Sequence, residues 1–237
     1  MNNWHKLGLA GLILMLAGCA SSTTPVPRTA GTPATVAPAR APSQEVNFAA
    51  IVRRVEPVAE ETCRRSGAVA QCDYRIVVDT RPGVPANAFQ TVDKTGRPLL
   101  IVTQPLLEET RNADEVAFIL GHEAAHHIRG HLTRTSNTAV LGAILAGTIV
   151  AAGGGDLASV EAAQDLGALA GSRAFSKNYE LEADALGTVI AYQAGYDPVR
   201  GSAYFARIPD PGNQFLGTHP PNADRQRVVR QVAAGLN

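Results

Sequence analysis

Apolar and polar positions divide the chain into three stretches. Leu7 to Ala17 is almost continuously apolar. Residues 20 to about 44 are rich in Ser, Thr, Pro and Ala, with no period and too little apolar surface to fold. From Val46 the pattern becomes that of a globular domain. Val46, Ala49, Ile51, Val52 and Val55 recur at helical spacing over residues 46–62. Tyr74 to Asp79 and Asn87 to Val92 are β-rich runs. The turn Asp93-Lys94-Thr95-Gly96 then leads into a third strand, Arg97 to Thr103. Together these predict a small antiparallel sheet with a hairpin.

The remainder reads as helical. Asn112 and Glu115 have the spacing of a capping box and open a helix expected to run to about His131, with Val116, Ile119 and Leu120 on its apolar side. Ala139 to Ala152 is nearly all apolar, and Gly153-Gly154-Gly155 stops it. Fourteen helical residues span about 21 Å, short of the roughly 30 Å hydrocarbon core, so a buried or membrane-dipping hairpin arm is expected rather than a full span. Its Gly and Ala content permits close helix packing. Asp156 caps the next helical stretch, which extends to about Ala194 with a potential break at Gly171-Ser172. Asp197-Pro198 starts a short helix. A Pro- and Gly-rich loop covers Ile208 to Pro221, and the last helix runs from about Asn222 to Ala234. The expected class is α+β, mainly helical, with the small sheet beside one central helix.

Length and composition fit one domain and a tail. The 237 residues carry 21 basic and 21 acidic side chains, scattered rather than blocked, which argues against nucleic acid as a partner. Lys6 and the apolar run behind it form a signal sequence. The run ends in Leu16-Ala17-Gly18-Cys19, which resembles a bacterial lipobox, so Cys19 is expected to carry lipid after cleavage. The division is therefore 1–18 signal peptide, 19–45 lipidated Cys and tether, and 46–237 folded domain. By resemblance to bacterial sorting signals, Ala20 and Ser21 lack the Asp that retains lipoproteins in the inner membrane. The expectation is a periplasmic protein anchored to the outer membrane. In that oxidising compartment Cys63 and Cys72 are expected to close a short disulfide loop.

The candidate chemistry lies in the predicted helix after Asn112. His122-Glu123-Ala124-Ala125-His126 fits H-E-x-x-H. Residues i and i+4 share a helical face, so both imidazoles can reach one ion, and neutral imidazole suits Zn²⁺. Glu123 then stands beside the ion as the base that takes a proton from water and passes it to the leaving amine. A third ligand is needed. His131, five residues past His126, sits about 140° round a continuous helix and is poorly placed; His131 and His127 both read as surface histidines. Asn178 to Asp184 offers Glu180 and Asp184 on one helical face, with Glu182 pointing away and solvated. Spacing favours Glu180 and leaves Glu182 open; Asp184 is then available to orient His122 or His126.

Four motifs in order resemble the HtpX/CAAX-prenyl-endopeptidase zinc metallopeptidases (gluzincins), and within them the periplasmic BepA/LoiP-type lipoproteins. They are Asn87-Ala88-Phe89, His122 to His126, Glu180 to Asp184, and Thr218-His219-Pro220-Pro221 with Arg225. The resemblance covers about Val46 to Val229. It implies a zincin-like fold, one Zn²⁺ per chain held by His122, His126 and Glu180, and substrate contacts from Asn87 and Phe89. It implies that His219 stabilises the tetrahedral intermediate or plugs the open zinc position; a loop histidine that merely packs is the alternative. Arg225 either holds the oxyanion or pins the last helix through a carboxylate. An extended peptide adding to a sheet edge near Arg97 to Thr103 would make unfolded or extended proteins the substrates. The implied role is an endopeptidase for misfolded or misassembled envelope proteins, working beside envelope assembly machinery. A chaperone-like or scaffold lipoprotein with a latent, plugged zinc site is the alternative. A multispanning prenyl-protein protease fits poorly, since one apolar segment follows the signal.

Overall fold

The computed structural model describes residues 46–212 and 219–236. Cys19, the signal and tether segments and Thr218 lie outside them. The first helix, α1 (Phe48–Ser66), begins where the Asn47 side chain accepts a hydrogen bond from the Ala50 amide, and it ends at Gly67, which takes a left-handed conformation. Ile51, Val55, Ala59 and Cys63 recur every fourth residue and are all buried. Cys63 is disulfide-bonded to Cys72, tying the end of α1 to the approach to the sheet.

The sheet contains β1 (Arg75–Asp79), β2 (Ala88–Val92) and β3 (Pro98–Thr103) in the order β1-β3-β2. The hairpin joins β2 to β3 as expected, with Gly96 in a positive-φ conformation and Asp93 Oδ1 accepting from the Thr95 and Arg97 amides. The sheet is not antiparallel throughout: β1 pairs with β3 in parallel, Arg75 opposite Leu99 through Asp79 opposite Thr103. The chain between them passes through β2 before β3 is laid down, which supplies the long crossover that parallel pairing requires. Arg97 fixes that alignment at its start, donating to the Asp73 carboxylate, the Asp73 carbonyl and the Tyr74 carbonyl. Because β3 is central, the segment Arg97 to Thr103 offers no free edge; on the side facing the site the open edge belongs to β2.

After α2 (Gln104–Glu109), the central helix α3 (Ala113–Ile128) is buried nearly all round. Asn112 Oδ1 accepts from the Glu115 amide, and the buried Glu115 carboxylate accepts from the Arg111 amide and from both terminal nitrogens of Arg207. The helix stops short of the expected His131 because Gly130 adopts φ 63°, which starts a new helix, α4 (His131–Ala152), in a different direction. α5 (Leu157–Arg173) packs back along α4, capped by Asp156 as expected. Glycines form the seam: a Cβ on Gly142 would meet the Gly167 carbonyl oxygen at 2.1 Å.

This arm departs from the expectation in its length. At 22 residues α4 is about 33 Å long, and among the described residues it alone is long and apolar enough to cross a membrane. Of the two forms expected for the arm, buried or membrane-dipping, it is not the buried one: Val140, Leu141, Ile144, Leu145 and Ile149 are 55–72% exposed. The next break falls at Ala174-Phe175, slightly after Gly171-Ser172, and opens α6 (Ser176–Gln193). α7 (Pro198–Gly201), capped by Asp197, leads through a 3₁₀ turn (Ser202–Ala206) to the loop before α8 (Asn222–Ala234), which begins where the sequence indicated.

The larger core joins Ile51 and Val55 of α1, Leu100 and Val102 of β3, Val116 and Leu120 of α3, and Ile190 of α6, and a second cluster of Phe118, Phe205 and Val229 packs the 3₁₀ turn and α8 against α3. The α3–α6 crossing positions the site. It is close enough that a Cβ on Gly121 would lie 2.8 Å from the Gly187 carbonyl oxygen, and one on Gly187 would lie 2.7 Å from the His122 nitrogen. Gly121→Ala is therefore expected to destabilise the fold by about 1–3 kcal/mol through overpacking. Helix propensity alone predicts a gain of up to about 1 kcal/mol, so the sign decides. A thermal midpoint equal to or above wild type would show that the crossing is not limiting.

Candidate metal centre

The α3–α6 crossing carries three potential ligands to one point. His122 and His126 lie one turn apart on α3, and Glu180 enters from α6. His122 Nε2 and His126 Nε2 are 3.0 Å apart; Glu180 Oε1 is 3.3 Å from His126 Nε2, and Glu180 Oε2 is 3.5 Å from His122 Nε2. A tetrahedral ion with ligand bonds of about 2.0–2.1 Å has edges of roughly 3.3 Å. Taken to the nearer Glu180 oxygen for each ring, the separations are close to such an edge, so this triangle of side chains is of the right size for one ion, and its two imidazoles and one carboxylate are a zinc donor set. Glu182, the alternative left open by spacing, does not reach this point.

Around the triangle the charges are closely paired. Asp184, fully buried, places Oδ1 2.9 Å from His122 Nδ1, so it is His122 and not His126 that it orients. Arg225, from α8, grips the same carboxylate with two bonds, Nε to Oδ2 at 2.7 Å and Nη2 to Oδ1 at 2.6 Å. Its guanidinium carbon lies 3.8 Å from the Phe205 ring centre, and Nη2 is 3.5 Å from Glu180 Oε2. Of the two roles open to Arg225, this geometry serves the pinning of α8 through a carboxylate; two of its nitrogens are spent on Asp184 rather than aimed at a substrate. Burial alone would lower the His122 pKa, but hydrogen bonds with Asp184 and Glu180 outweigh it and lift the ring to about 10. Burial would raise the Glu180 carboxyl, yet hydrogen bonding with both histidines holds it well below the usual carboxylate range.

Glu123, largely buried, lines the same cleft of about 720 Å³ as the three ligands. Asn87 and Phe89 stand at its rim on the β2 side; the Asn87 amide donates to the Thr103 hydroxyl and its carbonyl accepts from the Thr103 amide, and Phe89 is 37% exposed. His219 lines it from the loop before α8, its Nε2 3.9 Å from Glu180 Oε2 and its side chain about half exposed.

Two histidines and one glutamate differ from expectation. His127 is buried, not on the surface: its Nε2 lies 2.7 Å from the Gln71 carbonyl oxygen and its ring meets the edge of Tyr74. His131 is more deeply buried, with Nδ1 3.0 Å from His126 Nδ1. Its Nε2 is 3.1 Å from Glu182 Oε2, so Glu182 is engaged rather than simply solvated. Burial pushes the His131 ring down to about 4, against the pull of Glu182, and keeps it neutral. The 140° computed for a continuous helix fails because Gly130 breaks the helix between the two rings. A glycine one residue before a histidine was the available signal for that break. Phe205, under Arg225, had no signal beyond its apolarity.

Residues 48–233 match the sequence profile of peptidase family M48. A curated relative, the mitochondrial metalloendopeptidase OMA1 of Arabidopsis thaliana, is 28% identical over 141 residues, which is 56% of this chain and 27% of the relative. The chain thus aligns with little more than a quarter of that protein's length. The profile match takes in α3, α6 and α8, from which the triangle and its supporting ion pair are drawn, and on it the chain belongs to peptidase family M48.

Proposed function

We propose that the protein is a zinc-dependent endopeptidase holding one Zn²⁺ per chain on His122, His126 and Glu180. The observation carrying this is the cluster of His122, His126 and Glu180 side chains, 3.0–3.5 Å from one another, in the cleft that Glu123 also lines. Bound there, zinc supplies the Lewis acidity that makes water nucleophilic near neutral pH. The chain's own residues do the rest. Glu123 takes the proton from water and returns it to the leaving amine. Asp184 and Arg225 fix the His122 ring so that Nε2 faces the ion. The edge of β2, with Asn87 and Phe89 at the rim, receives an extended peptide by strand addition. That mode selects unfolded or misassembled proteins as substrates. The bacterial-type signal supports a periplasmic enzyme, tethered to the outer membrane through Cys19 within reach of envelope assembly machinery. The zincin-like fold and the BepA/LoiP-type branch belong to the same reading.

The latent-site alternative has one observation in its favour: His219 stands 3.9 Å from Glu180, over the ligands. One experiment separates the readings: metal analysis and casein cleavage by wild type and Glu180→Ala. The expected result is about one zinc per wild-type chain, casein cleavage, and loss of both metal and activity in the variant. A wild type that binds zinc, leaves casein intact and still suppresses aggregation would favour the latent site. A wild type without zinc would end the metallopeptidase reading.

A further inference from the structure

The two histidine ligands are supported differently. Asp184 meets His122 Nδ1 directly. His126 Nδ1 instead faces His131 Nδ1 at 3.0 Å, and His131 passes the contact on to Glu182 through Nε2 at 3.1 Å. We propose that His131 is a positioning residue for His126, with Glu182 as the carboxylate that fixes it. This rests on the metal reading of His122, His126 and Glu180.

The donor and acceptor inventory allows one arrangement for two neutral rings. The Glu182 carboxylate only accepts, so His131 carries its hydrogen on Nε2 and a lone pair on Nδ1. That lone pair accepts the Nδ1–H of His126, which leaves the His126 Nε2 lone pair facing Glu180 and His122. The relay thus selects the one His126 tautomer that can ligate a metal from Nε2. His131 is held for the task. Its ring stacks on Tyr179 with 4.6 Å between centres and 14° between planes. Arg134 Nη1 donates to the same Glu182 oxygen at 3.0 Å, and Gly130 supplies the positive-φ turn that brings the ring back beneath His126.

The test is zinc affinity, by competition with a chelator, for wild type, His131→Leu and His131→Asn. Leu keeps apolar bulk against Tyr179 and removes the acceptor; Asn sacrifices the ring but keeps an acceptor near the Nδ1 position. Positioning predicts a roughly 10–100-fold loss of zinc affinity in His131→Leu, as partners of metal ligands show, and recovery of most of it in His131→Asn. The visible spectrum of the Co²⁺-substituted protein should change in His131→Leu and return towards wild type in His131→Asn. The reverse order, Leu close to wild type and Asn impaired, overturns the inference and leaves His131 as packing. If His131→Leu does not fold, Glu182→Ala carries the test, because Glu182 is part-exposed and its loss should lower zinc affinity about 10-fold; unchanged affinity there overturns the inference as well. A wild type that binds no zinc would instead remove the metal reading on which this stands.

Discussion

Glu123→Gln is expected to lower kcat by about 10²–10⁴ while zinc content stays at the wild-type level. Gln has the shape of Glu but cannot take up a proton, so the substitution removes the base and little else. None of the three ligand atoms is altered, and the largely buried side chain keeps its volume in the cleft. Metal analysis and steady-state cleavage of an unfolded substrate, on the same preparation, read both quantities. If kcat fell less than tenfold with zinc retained, Glu123 would not be the base. If activity and zinc were lost together, the side chain would be holding the site's shape instead.

Arg225→Ala is expected to cost about 3–5 kcal/mol of stability, the range for removing one partner of a buried ion pair. Asp184 is fully buried and Arg225 supplies two of its hydrogen bonds, so truncation leaves the carboxylate with the His122 ring and without its guanidinium. Arg225→Lys should recover only part of this, since an ammonium cannot reproduce the two-point grip or the stack on Phe205. Denaturant unfolding measures the loss. The double substitution Asp184→Leu with Arg225→Met separates stability from metal binding. It should restore much of the stability, because no charge is left buried, while zinc affinity stays weakened, because His122 Nδ1 has lost its acceptor. A single-variant loss below about 1 kcal/mol would show that the pair is not central.

What could be read from the sequence was local. Asn112, Asp156 and Asp197 each precede a helix and each caps it through a side-chain oxygen within three residues. The i, i+4 spacing of His122 and His126 fixes a shared face with no knowledge of anything else. The Asp93–Gly96 turn gives its hairpin for the same reason. What spacing left open or missed was decided by distant packing. Glu180 and Glu182 are two residues apart on one helix; the crossing at Gly121 and Gly187 turns Glu180 toward the histidines and Glu182 toward His131. Strand propensity carries no direction, so the pattern alone suggests an antiparallel sheet, whereas Arg97 and Asp73 align β1 in parallel with β3. The apolar run from Ala139 marks only the later turns of α4; the polar first turns that lengthen it carry no apolar signal.

The order in which the site's parts occur along the chain also bears on synthesis. A ribosome delivers α3 first, then the arm, then α6, and α8 last. A nascent chain that has reached α6 already holds all three ligands, but Asp184 has no guanidinium to neutralise it. The centre reaches its final charge balance only when Arg225 emerges, some forty residues after Asp184. A hydrolase assembled in this order lacks its buried Asp184–Arg225 pair until α8 has been made.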